Sequence, residues 1–136
     1  MKFPKDLKYT KEHEWARVEG NIAVVGITDY AQDKLGSIVF VELPPPGKAF
    51  TKGETMVTVD SVKAVAEVYC PLSGQVEEAN ESLKDNPEAI NQEPYGKGWL
   101  MVLQTTDWAT DRVKLLDAGT YLSVMRSQAE EELGKP

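Results

Sequence analysis

Through the first two-thirds of the chain, apolar positions come in short runs broken by turn residues rather than in helical stripes. Residues 14–18 and 22–27 flank Glu19-Gly20-Asn21, whose Gly and Asn permit the positive φ that a tight hairpin needs. Residues 37–43 form a strongly β-prone run, stopped by Pro44-Pro45-Pro46-Gly47 because proline cannot donate to a sheet ladder. Residues 55–59 pair with 64–69, and 75–78 and 99–105 complete the set. Short strands at regular spacing, separated by turn signals, predict a β-sandwich or barrel.

Helical signals are brief in this region. Thr28 is placed to cap a turn over residues 29–35, with Gly36 at the C′ position. Asn80 is a candidate cap for a turn through Leu83, and Asn86-Pro87-Glu88 is a further start signal. After Thr106 the pattern changes. Asp107 opens a helical stripe through Ala109, Val113 and Leu116 that Gly119 ends; Thr120 restarts a second through Leu122, Met125, Ala129 and Leu133. These stripes are expected to pack as a helical C-terminal segment, about 107–133, on the outside of the β-domain, with residues 134–136 fraying. No linker interrupts the pattern, so a single domain over 1–136 is expected.

Composition narrows the function. The 136 residues carry 22 acids against 15 bases, a formal charge of -7. Phosphate-binding surfaces are built from clustered Lys and Arg, and no such cluster occurs, which argues against nucleic acid. No run approaches the ~18 apolar residues that a membrane span needs, and residues 1–15 lack the apolar stretch of a signal peptide. The expectation is a soluble cytoplasmic protein of bacterial type, or a mitochondrial one only with a transit peptide removed. Cys70 is the single cysteine, so no internal disulfide forms, and it reads as a buried small hydrophobe. His13 is the single histidine. One His, one Cys and no carboxylate cluster at ligand spacing give no metal site; no glycine-rich phosphate loop is present. Glu130-Glu131-Glu132 reads as a solvated helix face. The chain does not look like a catalyst.

Lys63 is the position with chemical interest. A nucleophilic lysine must be held neutral, whereas Asp60 and Glu67 nearby favour the ammonium, so a Schiff-base role is disfavoured. At the tip of a hairpin, with no competing lysine in its loop, the side chain would instead be presented to another enzyme. That is the geometry of a modification site.

The ordered motifs resemble one family. Tyr9 with His13-Glu14-Trp15, the block from Gly26 to Asp33, the block from Val39 to Pro44, and Asp60-Ser61-Val62-Lys63-Ala64 all resemble blocks of the H proteins of the glycine cleavage system, which are lipoyl carriers. Ser73-Gly74, Asn86-Pro87, Ile90-Asn91, Pro94-Tyr95 and Gly98-Trp99 follow in that family's order. Asp60 stands where the family's motif has Glu, and Cys70 where Ser is usual. A biotin carrier is disfavoured because Lys63 lies between Val62 and Ala64 rather than between methionines.

The resemblance implies a mostly β fold, the lipoyl/biotinyl-carrier β-sandwich (barrel-sandwich hybrid) with short helices and a helical C-terminus. It implies lipoate joined covalently to Lys63, with Asp60, Ser61, Val62 and Ala64 as the context read by lipoyl-attaching enzymes. It also implies a non-catalytic shuttle of the aminomethyl group of glycine from the pyridoxal-phosphate decarboxylase (P protein) to the tetrahydrofolate-dependent aminomethyltransferase (T protein), reoxidised by dihydrolipoyl dehydrogenase. A carrier that visits several enzymes is best served as a monomer. The alternative is an H-like protein whose main task is to relay lipoate to 2-oxo-acid dehydrogenases. The loaded arm carries an amine beside sulfur and needs shelter from water and an acid for its ammonium; Glu14 and Glu67 are the candidates. His13 and Trp15 read as packing residues.

Overall fold

A computed structural model describes residues 1–134. Lys135 and Pro136, and the side chain of Leu133, lie outside that description, and with them the expectations placed there.

The strands are β1 (Lys8–Tyr9), β2 (Glu14–Glu19), β3 (Ile22–Ile27), β4 (Ile38–Glu42), β5 (Ala49–Phe50), β6 (Thr55–Ser61), β7 (Val65–Tyr69), β8 (Gly74–Ala79) and β9 (Met101–Thr105). They form two antiparallel sheets, one of six strands in the order β1-β2-β3-β9-β8-β5 and one of three in the order β4-β6-β7. Among the described residues neither order returns to its first strand, so the expected sandwich forms without a closed barrel.

The pleat explains why the six-stranded sheet has two cores. Successive side chains point to opposite faces, so Ala23, Val25 and Ile27 of β3 enter the main core while Val24 packs on the other side. The main core joins Val76 and Leu103 of the large sheet to Val41, Val57, Val59 and Val68 of the small one. The second cluster gathers Leu7, Tyr9, Trp15, Ala118 and Tyr121. Trp15 is fully buried, and its indole N–H donates to the Pro94 carbonyl at 2.9 Å. A Cβ at Gly26, opposite it on β3, would stand 2.6 Å from the Trp15 ring, so only glycine fits there.

Helix α1 (Asp29–Leu35) follows β3 as its signals predict. Thr28 Oγ1 accepts from the Ala31 N–H at 3.2 Å, and Gly36, at φ 76, closes the helix with its N–H on the Gln32 carbonyl. Other helical expectations require correction. Asn80 caps nothing: its side-chain amide donates to the Lys97 and Trp99 carbonyls, tying the 3-10 turn Glu81–Lys84 to the start of β9. No side chain caps the short α2 (Ala89–Gln92), which opens instead on the Ala89 N–H bonding the Asn86 carbonyl.

The stripe from Asp107 also fails. It breaks into α3 (Trp108–Asp111) and a 3-10 turn, Arg112–Lys114, leaving Val113 73 % exposed, because Leu116 is drawn into a β-bridge with Tyr9. Gly119 lies inside α4 (Ala118–Gly134), whose first turn is held by Asp117 accepting from the Thr120 N–H at 2.8 Å. Leu122, Met125 and Ala129 are half-buried on α4; the anchor is Tyr121, fully buried and stacked on Tyr9 at 4.8 Å between ring centroids.

Candidate functional site

The hairpin between β6 and β7 runs further than its residues suggest. Asp60 and Ser61, which lie beyond the expected strand at 55–59, belong to β6. Asp60 pairs with Phe40 of β4 on one side and Val65 of β7 on the other. The turn proper is Val62-Lys63-Ala64, and Ser61 closes it: its hydroxyl oxygen accepts from the Lys63 N–H at 3.1 Å and the Ala64 N–H at 3.0 Å, while its N–H donates to the Ala64 carbonyl at 2.8 Å. A serine hydroxyl serves this purpose because one oxygen can take two convergent backbone donors. The Val62 N–H reaches across to the Ser37 carbonyl at 3.0 Å, so the tip is braced against the loop between α1 and β4.

That loop is fixed in turn by Asn91. Its amide N–H₂ donates to the Gly36 carbonyl at 2.8 Å and to the Gln32 side chain, and its oxygen accepts from the Ile38 N–H at 2.9 Å. Lys63 is exposed and, among the described residues, joins no salt bridge. Its aliphatic stem does not stand clear of the fold. A Cβ at Gly36 would meet Lys63 Cε at 3.3 Å, so the bare glycine leaves a groove in which the stem lies. Val39, Phe40, Val62 and Val65 are all more than half exposed around this tip. The amine is free to be acylated and is held on a rigid mount.

Beside the hairpin lies a cleft of about 180 Å³. Ile27, Ala31, Leu35 and Val68 give it apolar walls, while Glu12, Glu14, Glu67, His13 and Lys34 bring charge or polarity. Glu14 and Glu67, singled out from the sequence, thus meet in one cavity; Lys63 is not among its lining residues but lies on Gly36, at the end of the helix that forms one wall.

The two acids differ. Glu67 is exposed on β7, within 3.3 Å of the Tyr69 hydroxyl. Glu14 is 2 % exposed, because on β2 it shares the core-facing side with Ala16. Thr10 Oγ1 donates to one carboxylate oxygen at 2.5 Å and the Tyr69 N–H to the other at 3.3 Å. Burial dominates over these bonds and raises the Glu14 carboxyl to about 7. Glu14 also lines a larger cavity of about 500 Å³, with Lys11, Lys52 and Lys114 among its lining residues and Tyr69, Pro71 and Leu116 on its walls. Cys70, in that wall, is buried with its thiol on the Leu72 carbonyl, and burial pushes it up to about 12, so it is an inert packing residue.

Two features of the cleft escape sequence reasoning. Lys34 joins its wall and pairs with Glu132 of α4. His13 adopts φ 72, in the left-handed region, with Nδ1 2.8 Å from the Tyr121 hydroxyl. No local pattern pairs residue 13 with residue 121.

Comparison with known proteins agrees with this arrangement. The family model described as Glycine cleavage H-protein matches residues 7–128. The glycine cleavage system H protein of Bacteroides thetaiotaomicron is 51 % identical over 125 residues, covering 92 % of this chain and 98 % of that one. Its counterpart from Thermus thermophilus is 50 % identical over 129 residues, covering 95 % of this chain and 100 % of that one. The crystal structure of a glycine cleavage system H protein from Mycobacterium marinum superposes with a TM-score of 0.78 at 36 % identity, over 88 % of this chain and 96 % of that one. Fold, motif order and these relatives together establish that the chain belongs to the glycine cleavage H-protein family.

Proposed function

We propose that this protein is a carrier that holds lipoate as an amide on Lys63 and passes the aminomethyl group of glycine from the decarboxylating P protein to the aminomethyltransferase T protein, with dihydrolipoyl dehydrogenase restoring the disulfide. The observation that carries this reading is Lys63 itself: exposed, without a salt bridge among the described residues, and mounted on a turn that Ser61 and Ser37 hold rigid. The residues suit the group. Gly36 leaves room for the lysine stem, and a partly apolar cleft with Glu12, Glu14 and Glu67 in its lining lies along the adjacent strand.

Lipoate would supply a dithiolane whose S–S bond is reduced by the electron pair released as CO₂ leaves, one sulfur bonding the aminomethyl carbon and the other becoming a thiol; the hard chemistry is that of the cofactor and the partner enzymes. The chain's own residues position and protect. Ser61 and the Val62–Ser37 bond fix where the arm begins. Ile27, Ala31, Leu35 and Val68 exclude water from the end of the arm. Glu14 and Glu67 receive the ammonium of the cargo. A cation entering beside Glu14 favours its ionised form and offsets the burial that disfavours it, so the site binds cargo and gives up a proton together.

Support for a shuttle over a lipoate relay comes from these acids, since a relay handing on the bare cofactor has no ammonium to hold. Purified P protein supplied with this chain in lipoylated form should catalyse exchange of glycine carboxyl with bicarbonate. Failure of exchange, with transfer of lipoate to 2-oxo-acid dehydrogenase domains, overturns the shuttle and leaves the relay.

A further inference from the structure

The chain just before Glu14 turns in an unusual way. The Thr10 N–H bonds the Glu14 carbonyl at 3.0 Å, the His13 N–H bonds the Thr10 carbonyl at 3.2 Å, and the Glu14 N–H bonds Thr10 Oγ1 at 3.1 Å. Closing that loop places His13 at φ 72, the one non-glycine residue with positive φ among those described. For a residue with a Cβ this conformation is disfavoured and persists only when its surroundings impose it.

Two contacts impose it. The His13 carbonyl accepts from the Thr28 N–H at 3.0 Å, and its ring nitrogen Nδ1 lies 2.8 Å from the Tyr121 hydroxyl. That hydroxyl also lies 2.8 Å from Thr28 Oγ1, so it bridges the loop before β2 and the cap of α1. Tyr121 is distant in sequence, on α4, and has no freedom of its own: it is fully buried and stacked on Tyr9. Farther along α4, Gln128 donates to the Lys11 carbonyl at 3.2 Å and Glu132 pairs with Lys34. Each contact of this helix with the cleft falls on a residue that lines it or stands next to one that does.

We propose that Tyr121 is a positioning residue for Glu14, holding His13 in its left-handed conformation so that the carboxylate is presented to the cleft, and that α4 is thereby part of the cargo site. This inference rests on the carrier reading given above and adds to it a residue and an element that touch no cargo. Around Glu14 the other titratable and charged groups are Glu12, His13, Lys34 and Glu67 in the cleft, Lys11, Lys52, Lys114, Tyr69 and Cys70 around the larger cavity, and Tyr121 itself. None but Tyr121 belongs to α4.

The test compares Tyr121→Phe with Tyr9→Phe. Both remove a hydroxyl from the same stacked pair, but the Tyr9 hydroxyl bonds the Pro4 carbonyl and does not touch His13. Titration of the Glu14 carboxyl, followed by NMR in the full-length unlipoylated protein, is the first readout. Hydrolysis of the aminomethyl-loaded protein without partners is the second. Tyr121→Phe should lower the Glu14 midpoint toward the ordinary carboxylate range and speed hydrolysis severalfold, with Tyr9→Phe leaving both at the wild-type value. Equal shifts in the two variants, or no shift in Tyr121→Phe, overturn the proposal. If Tyr121→Phe does not fold, His13→Ala replaces it: alanine lacks the imidazole nitrogen and, unlike asparagine, disfavours the left-handed backbone, and an unmoved Glu14 titration there is equally fatal. Glu14→Gln separates the two levels. Unchanged hydrolysis in that variant removes the carrier role of Glu14, whereas the titration comparison, made without lipoate, judges the positioning claim alone.

Discussion

Replacing Glu14 by glutamine tests how far the cleft is built against stability. The carboxyl is raised from an ordinary 4.5 to about 7 by burial, which the Thr10 and Tyr69 bonds only partly offset. Below about pH 4.5 it is protonated in both folded and unfolded chains and costs nothing. As pH rises, the unfolded chain ionises first, so the folded state loses stability progressively until the folded group also ionises near 7. At 1.36 kcal/mol per pKa unit, the full penalty above that point is about 3 kcal/mol, and about 1 kcal/mol is already present at pH 5. Glutamine has nearly the same shape and no charge to desolvate; its amide can give a hydrogen to Thr10 Oγ1 and accept from the Tyr69 N–H. Urea unfolding at a series of pH values should therefore find Glu14→Gln more stable than wild type, with the gap widening by about 2 kcal/mol between pH 5 and pH 8. A gap that stays flat over that interval refutes the reasoning, because a carboxyl with an ordinary folded-state midpoint gives no pH-dependent gain there.

Three other substitutions follow from the geometry. Gly26→Ala brings a Cβ to 2.6 Å from the Trp15 ring and should cost about 2–3 kcal/mol, read as a lower denaturant midpoint; a midpoint unchanged from wild type would show that the indole moves freely. Asn91→Ala strands the Ile38 N–H and the Gly36 carbonyl and should cost about 1–3 kcal/mol, while also slowing lipoylation because the Ser37 brace loosens; loss of stability at an unchanged lipoylation rate would separate the brace from the tip. Ser61→Ala leaves the Ser61–Ala64 backbone bond and the Val62–Ser37 bond intact, so stability should fall by no more than about 1 kcal/mol while lipoylation by the attaching enzyme slows severalfold; equal rates would mean that the tip needs no hydroxyl.

Much of this fold is legible in the order of residues because its signals are local. The hairpin at Gly20, the capped helix from Thr28 to Gly36 and the alternation along β3 each depend on a few neighbouring side chains. The two-residue strands β1 and β5 are illegible because two residues cannot display a period, and they form only where a longer strand offers an edge. The C-terminal region misleads for another reason. Its apolar spacing suits one helix through Leu116, but Tyr9 captures Leu116 in a bridge, and Asp117 then supplies a better helix start than Thr120. Asp60 and Ser61 carry β6 two residues past the expected end at Val59, because β4 and β7 offer backbone partners on both sides of Asp60.

The site divides the same way. Lys63 and its neighbours form one continuous segment, and Glu14 sits in a recognisable block. The cleft that joins Glu14 to Glu67 needs the pairing of β2 with β3 and the position of α1, and the contact between His13 and Tyr121 spans nearly the whole chain. Burial raises Glu14, and burial is a property of the fold rather than of the residue.

The carrier reading stands on the modification of one side chain. Intact mass of the protein produced with lipoyl-attaching enzymes and lipoate, followed by peptide mapping, addresses it directly. A single added lipoyl group is expected, located on Lys63 and lost in Lys63→Arg. An unmodified mass, or a lipoyl group on any other lysine, contradicts it.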